Sequence, residues 1–214
     1  MTLHRFLAVT LVAVAAACNT GPTAPTGSEA GTAEQPAVTQ VEDSLRFLQP
    51  ALNAPLLAQK SVSFYAVRGE DRRAAIWYHP RAGVPDSNRL VRLKLDKRSL
   101  LTAPDGSSIQ QGDSLLITMT VIDTVRLIVE MEPAGLQFAP GREATLTLWY
   151  IETDPDLNQD GVVDLLDQQL ESSLRTWRQE FVGDPWVRLE GDLDTNEDQI
   201  ETEIDGFTRY AVSY

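Results

Sequence analysis

The chain has 214 residues, enough for one domain with a sizeable core and some unstructured length. It carries 18 Lys and Arg residues against 31 Asp and Glu residues, a formal net charge of −13. Such a charge repels nucleic acid and attracts cations, so we expect no nucleic-acid partner, and 43% hydrophobic residues exclude global disorder.

The N-terminal stretch MTLHRFLAVTLVAVAAAC predicts an export signal. Arg5 precedes an apolar run from Phe6 to Ala17 that is too short to span a bilayer comfortably as a mature helix. The pattern resembles a bacterial lipoprotein signal peptide, residues 1–17, in which Cys18 is lipidated and becomes the new N-terminus. We therefore expect a lipid anchor on Cys18 that holds the protein to the bacterial cell envelope, on the exported side of the membrane. The alternative is an ordinary secretory signal with an incidental cysteine.

The next two segments are predicted to have little regular structure. Residues 18–40 are rich in Thr, Ala, Pro, Gly and Glu, which is typical of a disordered, solvated tether. Residues 41–60 carry several leucines at helix-like positions, but Pro50 and Pro55 interrupt any helix. We expect an irregular or briefly helical lead-in that packs on the edge of the domain.

From Ser61 onward, apolar residues recur at every second position, which is the period of a half-buried strand. Clean alternation indicates antiparallel sheets with one buried face and one wet face. The chain is therefore predicted to be mainly β, with an antiparallel β-sandwich over residues 61–214. The candidate strands are VSFYAV, AAIWYH, RLVRLKLD, SLLITMTV, VRLIVEME, ATLTLWY, PWVRLEG, QIETEI and FTRYAVSY.

One segment departs from this period and predicts an insertion in the sandwich, residues 152–184. In LLDQQLESSLRTWRQEF, residues 165–181, apolar residues follow one another at spacings of four, four, three and four. That spacing forms one stripe along a helix, with charged residues on the other faces. The stripe consists of Leu166, Leu170, Leu174, Trp177 and Phe181. We therefore expect a helix over residues 165–181.

Two segments resemble the ZU-five domain, a family named for zona occludens and the netrin receptor Unc-five. The family pattern is a Pro, then Gly-Leu-any-Phe, then a strand of alternating apolar residues that ends in Tyr. In EPAGLQFAPGREATLTLWY the matching residues are Pro133, Gly135, Leu136, Phe138, Leu146, Leu148 and Tyr150. In the closing GFTRYAVSY, which resembles the last strand of the family, they are Phe207, Tyr210, Ala211 and Val212. The resemblance covers about residues 85–214.

The resemblance implies a β-sandwich that serves as an interaction or structural module. Some members of that family cleave themselves between the Phe and the Ser of the closing motif, with a neighbouring His that activates the Ser. Here Gly206 stands in place of the His and Thr208 in place of the Ser. Because a hydroxyl without a base is a poor nucleophile, we expect no autoproteolysis.

The stretch DLNQDGVVDLLD, residues 156–167, has the spacing of a calcium-binding loop. Calcium takes about six to eight oxygen ligands, and a twelve-residue loop supplies them from positions 1, 3, 5, 7, 9 and 12, with Gly at 6. Gly161 falls at the turn position. The ligands would be the side chains of Asp156, Asn158, Asp160, Asp164 and Asp167 and the carbonyl of Val162. The sequence therefore predicts one structural calcium ion; the alternative is a solvated acidic turn.

The loop resembles those of EF-hands and, still more, those of cellulosomal dockerins. It follows a strand rather than a helix, and we expect Val163, at position 8, to anchor it to its surroundings. A second acidic stretch, DLDTNEDQIETE, has Glu197 in the glycine position and is predicted to form a hairpin turn. A lone loop lacks the pairing that gives sensors their opening motion. We expect a structural site with a dissociation constant on the order of 10⁻⁵ to 10⁻³ M.

Other chemistry-bearing residues give weaker signals. Outside the predicted signal, His79 is the only histidine and Cys18 the only cysteine, which excludes a Cys–His zinc site. The sequence has no nucleophile elbow, so we expect no catalytic residues and no enzyme. The phase of the aromatic residues in strands and helix places them mostly in the core, with a carbohydrate-stacking face as the alternative. They are Trp77, Tyr78, Trp149, Trp177 and Trp186.

These patterns together predict an exported, lipid-anchored, non-enzymatic, calcium-binding β-sandwich with a binding or scaffolding role at the cell envelope. An envelope protein is a possible partner. A first alternative is a dockerin-like docking module that uses residues 165–181 as its partner surface. A second is an envelope hydrolase, which requires a pocket that converges on His79 or on a pair of carboxylates.

Overall fold

The alternating segments form two antiparallel sheets in a computed structural model of the chain, which describes residues 38–80 and 88–214. The strands are β1 (Thr39–Gln40), β2 (Ser61–Val67), β3 (Arg72–Trp77), β4 (Arg89–Leu95), β5 (Leu100–Thr102), β6 (Ser114–Asp123), β7 (Ile128–Glu132), β8 (Gln137–Phe138), β9 (Ala144–Trp149), β10 (Arg175–Gln179), β11 (Trp186–Arg188), β12 (Asp192–Asp194), β13 (Gln199–Ile204) and β14 (Arg209–Ser213). The helix α1 spans Leu165–Ser172, and a 3₁₀ turn spans Glu42–Ser44.

The two main sheets make a β-sandwich, as the alternation predicts. One has seven strands in the order β1-β11-β10-β14-β7-β6-β2, and the other has five in the order β12-β13-β9-β4-β3. Strands β5 and β8 form a small third sheet. The main core contains side chains of the predicted inward phase from both large sheets, such as Ile117, Met119, Leu93 and Leu146, each 0% exposed.

The first part of the lead-in, residues 41–47, packs against the outside of the seven-stranded sheet, while Leu48 belongs to the main core. Leu45 is buried there, and the ring of Phe47 meets that of Trp186 edge-on with centroids 5.2 Å apart. Trp177 belongs to the same small cluster. Within the lead-in, residues 42–44 form a 3₁₀ turn and the remaining residues form no helix.

The C-terminal end of the predicted tether is wrong by two residues, since β1 pairs with β11 at the edge of the sheet. The predicted signal peptide, Cys18 and the rest of the tether lie outside the described residues. Within the described part of the chain, every helix is too short and too polar to cross a membrane.

The predicted helix over residues 165–181 is wrong in its second half. Helix α1 ends at Ser172, where the hydroxyls of Ser172 and Ser173 donate to the carbonyls of Gln169 and Leu170. Such bonds compete with continued helix. The following residues form β10, which pairs with β14 and β11 inside the seven-stranded sheet. The predicted insertion over residues 152–184 therefore ends before β10.

The segments 132–150 and 206–214 meet in space. The rings of Phe138 and Phe207 pack edge-on with centroids 5.3 Å apart, and Gln137 pairs with Gly206. The second acidic stretch forms the β12–β13 hairpin, as predicted.

Candidate calcium loop

The acidic loop connects strand β9 to helix α1 and is fastened to the sandwich near its beginning. Leu157 packs partly buried against the main core, and its carbonyl accepts the hydroxyl hydrogen of Tyr214. Val163 was predicted to be the anchor, but it is 60% exposed. The anchor is therefore the apolar residue at position 2 of the loop rather than the one at position 8.

The first half of the loop is held by aspartate and asparagine side chains that accept N–H groups of the following residues. Asp156 accepts from the N–H of Asp160 at 3.1 Å through Oδ1 and from that of Gly161 at 2.7 Å through Oδ2. The Oδ1 of Asn158 accepts from the same N–H of Asp160 at 2.9 Å. Gly161 has a φ of 89°, a conformation that glycine adopts without strain. These bonds bring the side-chain oxygens of positions 1 and 3 to a single backbone N–H.

Asp167 closes the loop by joining its two ends. Its Oδ1 accepts from the N–H groups of Leu157 at 2.8 Å and Asn158 at 3.2 Å, while its Oδ2 accepts from that of Asp164 at 2.8 Å. The residue is only 3% exposed. The bond from the Asp164 N–H and those from the other two N–H groups lower the pKa of Asp167 from its ordinary value.

Asp164 begins the helix. It has extended backbone geometry, and its Oδ1 accepts from the N–H of Leu166 at 2.7 Å. A capping box is also present, in which the side chain of Asp164 accepts from the N–H of Asp167 and the side chain of Asp167 accepts from the N–H of Asp164. The carboxylates at positions 9 and 12 thus both shape the exit from the loop.

The loop brings all six predicted ligand residues into one structural unit, but their side chains do not converge on a point. Within residues 38–80 and 88–214, no three His, Cys, Asp and Glu side chains are arranged to hold a metal ion. The loop carboxylates instead accept backbone N–H groups. The Oδ1 of Asp167 accepts two of them, while the carboxylate oxygens that accept a single hydrogen bond retain a further lone pair. Carboxylate, amide and carbonyl oxygens are the hard ligands that calcium prefers. The donor set fits calcium in kind, while its geometry is that of hydrogen-bonded turns.

A cavity of 260 Å³ lies between the loop and the sheet. On its wall the hydroxyl of Tyr150 donates to Oε1 of Glu171 at 3.1 Å, which joins helix α1 to the end of β9. Burial, and after it the charge of Glu171, raises the pKa of Tyr150. Burial, followed by the charges of Glu171, Asp194 and Glu197, raises the pKa of Asp198. Carboxylates around the helix therefore add to the negative potential near the loop.

The remaining predicted residues lie apart from the loop. The side chain of His79 is exposed just beyond β3, and the backbone N–H of this residue donates to the carbonyl of Leu56 at 2.8 Å. Thr208 is buried, and its hydroxyl donates to the carbonyl of Glu180 at 3.0 Å and to that of Gln179. The hydroxyl hydrogen of Thr208 is therefore shared between two backbone carbonyl oxygens.

The prediction that the aromatic residues are mostly core is confirmed for Tyr78, Trp177 and Trp186, which are buried. Trp77 and Trp149 are only partly buried and lie on the outer face of the five-stranded sheet with two arginines. The alternation of ATLTLWY already predicts that Trp149 faces outward, since its neighbours Leu148 and Tyr150 take the inward phase. The sequence pattern does not predict that arginines contact these two rings.

Comparisons with protein-family models, with curated proteins and with solved structures found no significant match to this chain.

Proposed function

We propose that this protein is a non-enzymatic, calcium-binding β-sandwich with a binding or scaffolding role, held at the bacterial cell envelope by a lipid on Cys18. The observation that carries the calcium proposal is the position of Asp167. A buried carboxylate at position 12 ties together the two ends of a loop whose positions 1, 3, 5, 7 and 9 all offer oxygen. The relationship to the ZU-five family belongs to the same proposal, supported by the contact between its two matching segments.

The ion would supply positive charge to a crowded anionic loop. Asp156, Asp160, Asp164 and Asp167 lie within twelve residues of chain, and like charges at short range repel one another. Drawing these carboxylates together costs free energy that a divalent cation offsets. Because the loop leads directly into α1, a bound ion would also stiffen the connection between the helix and β9.

Calcium titration followed by thermal unfolding tests this proposal. At calcium concentrations about tenfold above the dissociation constant, a single site stabilises the folded state by roughly 1.4 kcal/mol. For a domain of this size that corresponds to a rise in melting temperature of about 3–6 °C. Asp160→Ala, which removes the ligand at position 5, should abolish the rise.

The chain offers a matched control in Asp105. Its Oδ1 accepts from the N–H of Ser107 at 2.9 Å, as the Oδ1 of Asp160 accepts from that of Val162 at 2.9 Å. Asp105→Ala therefore removes the same kind of turn bond outside the loop and should leave the calcium response intact. No response of the parent chain at millimolar calcium, or an equal loss in both variants, would contradict the proposal.

A second candidate function, a docking element, is favoured by apolar side chains exposed beside the loop. Val162, Val163, Leu165 and Leu166 are 58%, 60%, 72% and 48% exposed. Adjacent exposed aliphatic residues are typical of protein contact sites. A partner would bind to the N-terminal turn of α1 and the end of the loop rather than to a long helix.

Substitution at Leu165 separates docking from a role in the fold. Because the side chain is mostly exposed, Leu165→Glu should change the free energy of unfolding by no more than about 0.5 kcal/mol. Urea unfolding of the parent and variant measures this difference. A loss of several kcal/mol would mean that the side chain supports the fold, and the docking candidate would lose its basis.

A further inference from the structure

Tryptophan and arginine side chains alternate along the outer face of the five-stranded sheet. The guanidinium carbon of Arg89 lies 4.7 Å from the ring centre of Trp77 and 5.1 Å from that of Trp149. The guanidinium carbon of Arg92 lies 5.1 Å from the ring centre of Trp149. We call this row, Trp77, Arg89, Trp149 and Arg92, the Trp–Arg ladder. It crosses three neighbouring strands, β3, β4 and β9.

An irregularity in the pairing of β3 with β4 makes the ladder possible. Trp77 pairs with Arg89. The preceding residue, Ile76, pairs with Val91, which leaves Leu90 as an extra residue on β4. Residues three apart in a regular strand point to opposite faces, but an extra residue changes the phase. The bulge thus places both arginines of β4 on the outer face, on either side of their contact with β9.

The ladder holds positive charge that the described residues only partly neutralise. Among the described residues, no carboxylate lies within 4.0 Å of the Arg89 guanidinium group, and the Nε atoms of Arg89 and Arg92 are buried without a hydrogen-bond partner. The Nη2 of Arg92 donates to Oγ1 of Thr147 at 3.1 Å and lies 3.5 Å from the carboxylate of Glu201. Burial, followed by the like charge of Arg89, lowers the pKa of Arg92. An anion on this face would relieve that repulsion.

The stacking also prepares the arginines for binding. A free arginine side chain loses much rotamer freedom when it binds, and a guanidinium group already fixed against aromatic rings loses less. Because the rings of the ladder contact guanidinium groups, this face presents N–H donors to a ligand rather than bare aromatic surface. The side chain of Arg92 retains 29% of its exposure.

We propose that the Trp–Arg ladder binds the carboxylates of a uronate-containing glycan. The planar fork of donors on a guanidinium group matches a carboxylate in two parallel hydrogen bonds. The outer face also carries Thr145 and the carboxylate of Glu201, which is 49% exposed and can accept hydrogen bonds from sugar hydroxyls. An acidic peptide also offers carboxylates, but its acidic side chains carry no hydroxyl group that could donate to Glu201. A sugar acid, which combines one carboxylate with several hydroxyls, fits both kinds of group.

Binding of a short oligogalacturonate, measured by titration calorimetry on the whole chain, tests the proposal. Sodium salts and a chelator keep calcium out of the experiment, so that the result does not depend on the acidic loop. The parent chain should bind the oligogalacturonate, and Arg89→Gln should weaken binding by roughly tenfold or more because it removes a charge-assisted pair. Arg142→Gln is the control, since Arg142 is exposed in the turn before β9 and its loss should change binding less than about twofold.

Two further ligands and one further variant make the outcome decisive. A neutral cello-oligosaccharide and poly-glutamate should bind at least about tenfold more weakly than the oligogalacturonate. Arg89→Lys keeps the charge but not the fork, so it should also weaken binding, and it serves if Arg89→Gln does not fold. The proposal is overturned if the parent does not bind the oligogalacturonate or if Arg89→Lys binds as the parent does. It is equally overturned if poly-glutamate or the neutral sugar binds as tightly.

Discussion

The sandwich core and the acidic loop hold the chain in one conformation by opposite physical means. The core removes apolar side chains from water, and its strands have backbone partners on neighbouring strands. The loop exposes its apolar residues other than Leu157 and relies on carboxylates that accept backbone N–H groups. The first arrangement has no net charge to balance, while the second concentrates negative charge. Of these two regions, the loop should therefore be the one that responds to pH and to cations.

The largest effect is expected in the core. Phe207 is 2% exposed and packs edge-on against Phe138. Phe207→Ala removes a buried ring and leaves a cavity, which typically costs about 3–5 kcal/mol of unfolding free energy. Urea unfolding with and without calcium measures the loss, which should be the same in both conditions.

Phe181 provides the matched control because it is the same residue type and is 66% exposed. Phe181→Ala should change the free energy of unfolding by no more than about 0.5 kcal/mol. Equal losses in the two variants would mean that burial does not distinguish these rings, and the contrast between core and surface would fail.

The same contrast explains how much of the fold the sequence predicts. Strands such as β6 and β9 are predictable because one face must be apolar and the other wet, which imposes a period of two. Strand β10 is not, since Leu174 and Trp177 happen to continue a helical spacing from Leu166 and Leu170. Its pairing with two neighbouring strands, the adjacent β11 and the more distant β14, decides its conformation.

The two candidate sites, the acidic loop and the Trp–Arg ladder, also differ in how far the sequence predicts them. The loop is predictable as a ligand pattern because all its residues are local, and its turn bonds follow from Asp and Asn at the proper spacing. Its anchor, Leu157, is held by a hydrogen bond from the hydroxyl of Tyr214, which lies 57 residues further along the chain. The Trp–Arg ladder requires a bulge at Leu90 and the neighbouring strand β9, and neither is encoded in a local period.

A smaller effect, confined to the loop, is expected from Asp167→Asn. The amide nitrogen of the new side chain would face a backbone N–H at one end of the loop, where the carboxylate accepted a hydrogen bond. The variant should unfold at a lower urea concentration than the parent at neutral pH, with a smaller loss than Phe207→Ala. It should also lose the calcium response. Asp105→Asn, in a turn outside the loop, should retain that response.

The pH dependence of this loss follows from the lowered pKa of Asp167. A carboxyl group whose pKa is lower in the folded state stabilises that state above its unfolded pKa, which is about 3.9 for aspartate. The stabilisation is lost as the pH falls through the folded pKa. The difference between parent and Asp167→Asn should therefore be full at neutral pH and should shrink below about pH 4. A difference that does not change with pH would assign the effect to shape rather than charge.

The smallest effect has the opposite sign and is expected at Asp198. Its pKa is raised by burial and by Glu171, Asp194 and Glu197, so its ionised form is disfavoured in the folded state. The penalty is absent below the unfolded pKa of about 3.9 and develops as the pH rises through the folded value. Asp198→Asn removes the charge and should stabilise the protein at neutral pH. Because the side chain is partly exposed and solvent screens its interactions, the gain should be only a few tenths of a kcal/mol.

Asparagine is the right substitute at Asp198, because the backbone there has a φ of 47°, which asparagine tolerates better than most residues. The gain should appear in urea unfolding at pH 7 and vanish near pH 3, where the parent side chain is protonated in both states. Asp184→Asn, at an exposed turn residue before β11, should give no comparable gain. If Asp198→Asn destabilises the protein at neutral pH, the carboxylate is making a favourable contact. The repulsion among carboxylates near the loop would then not extend to Asp198 in the absence of a cation.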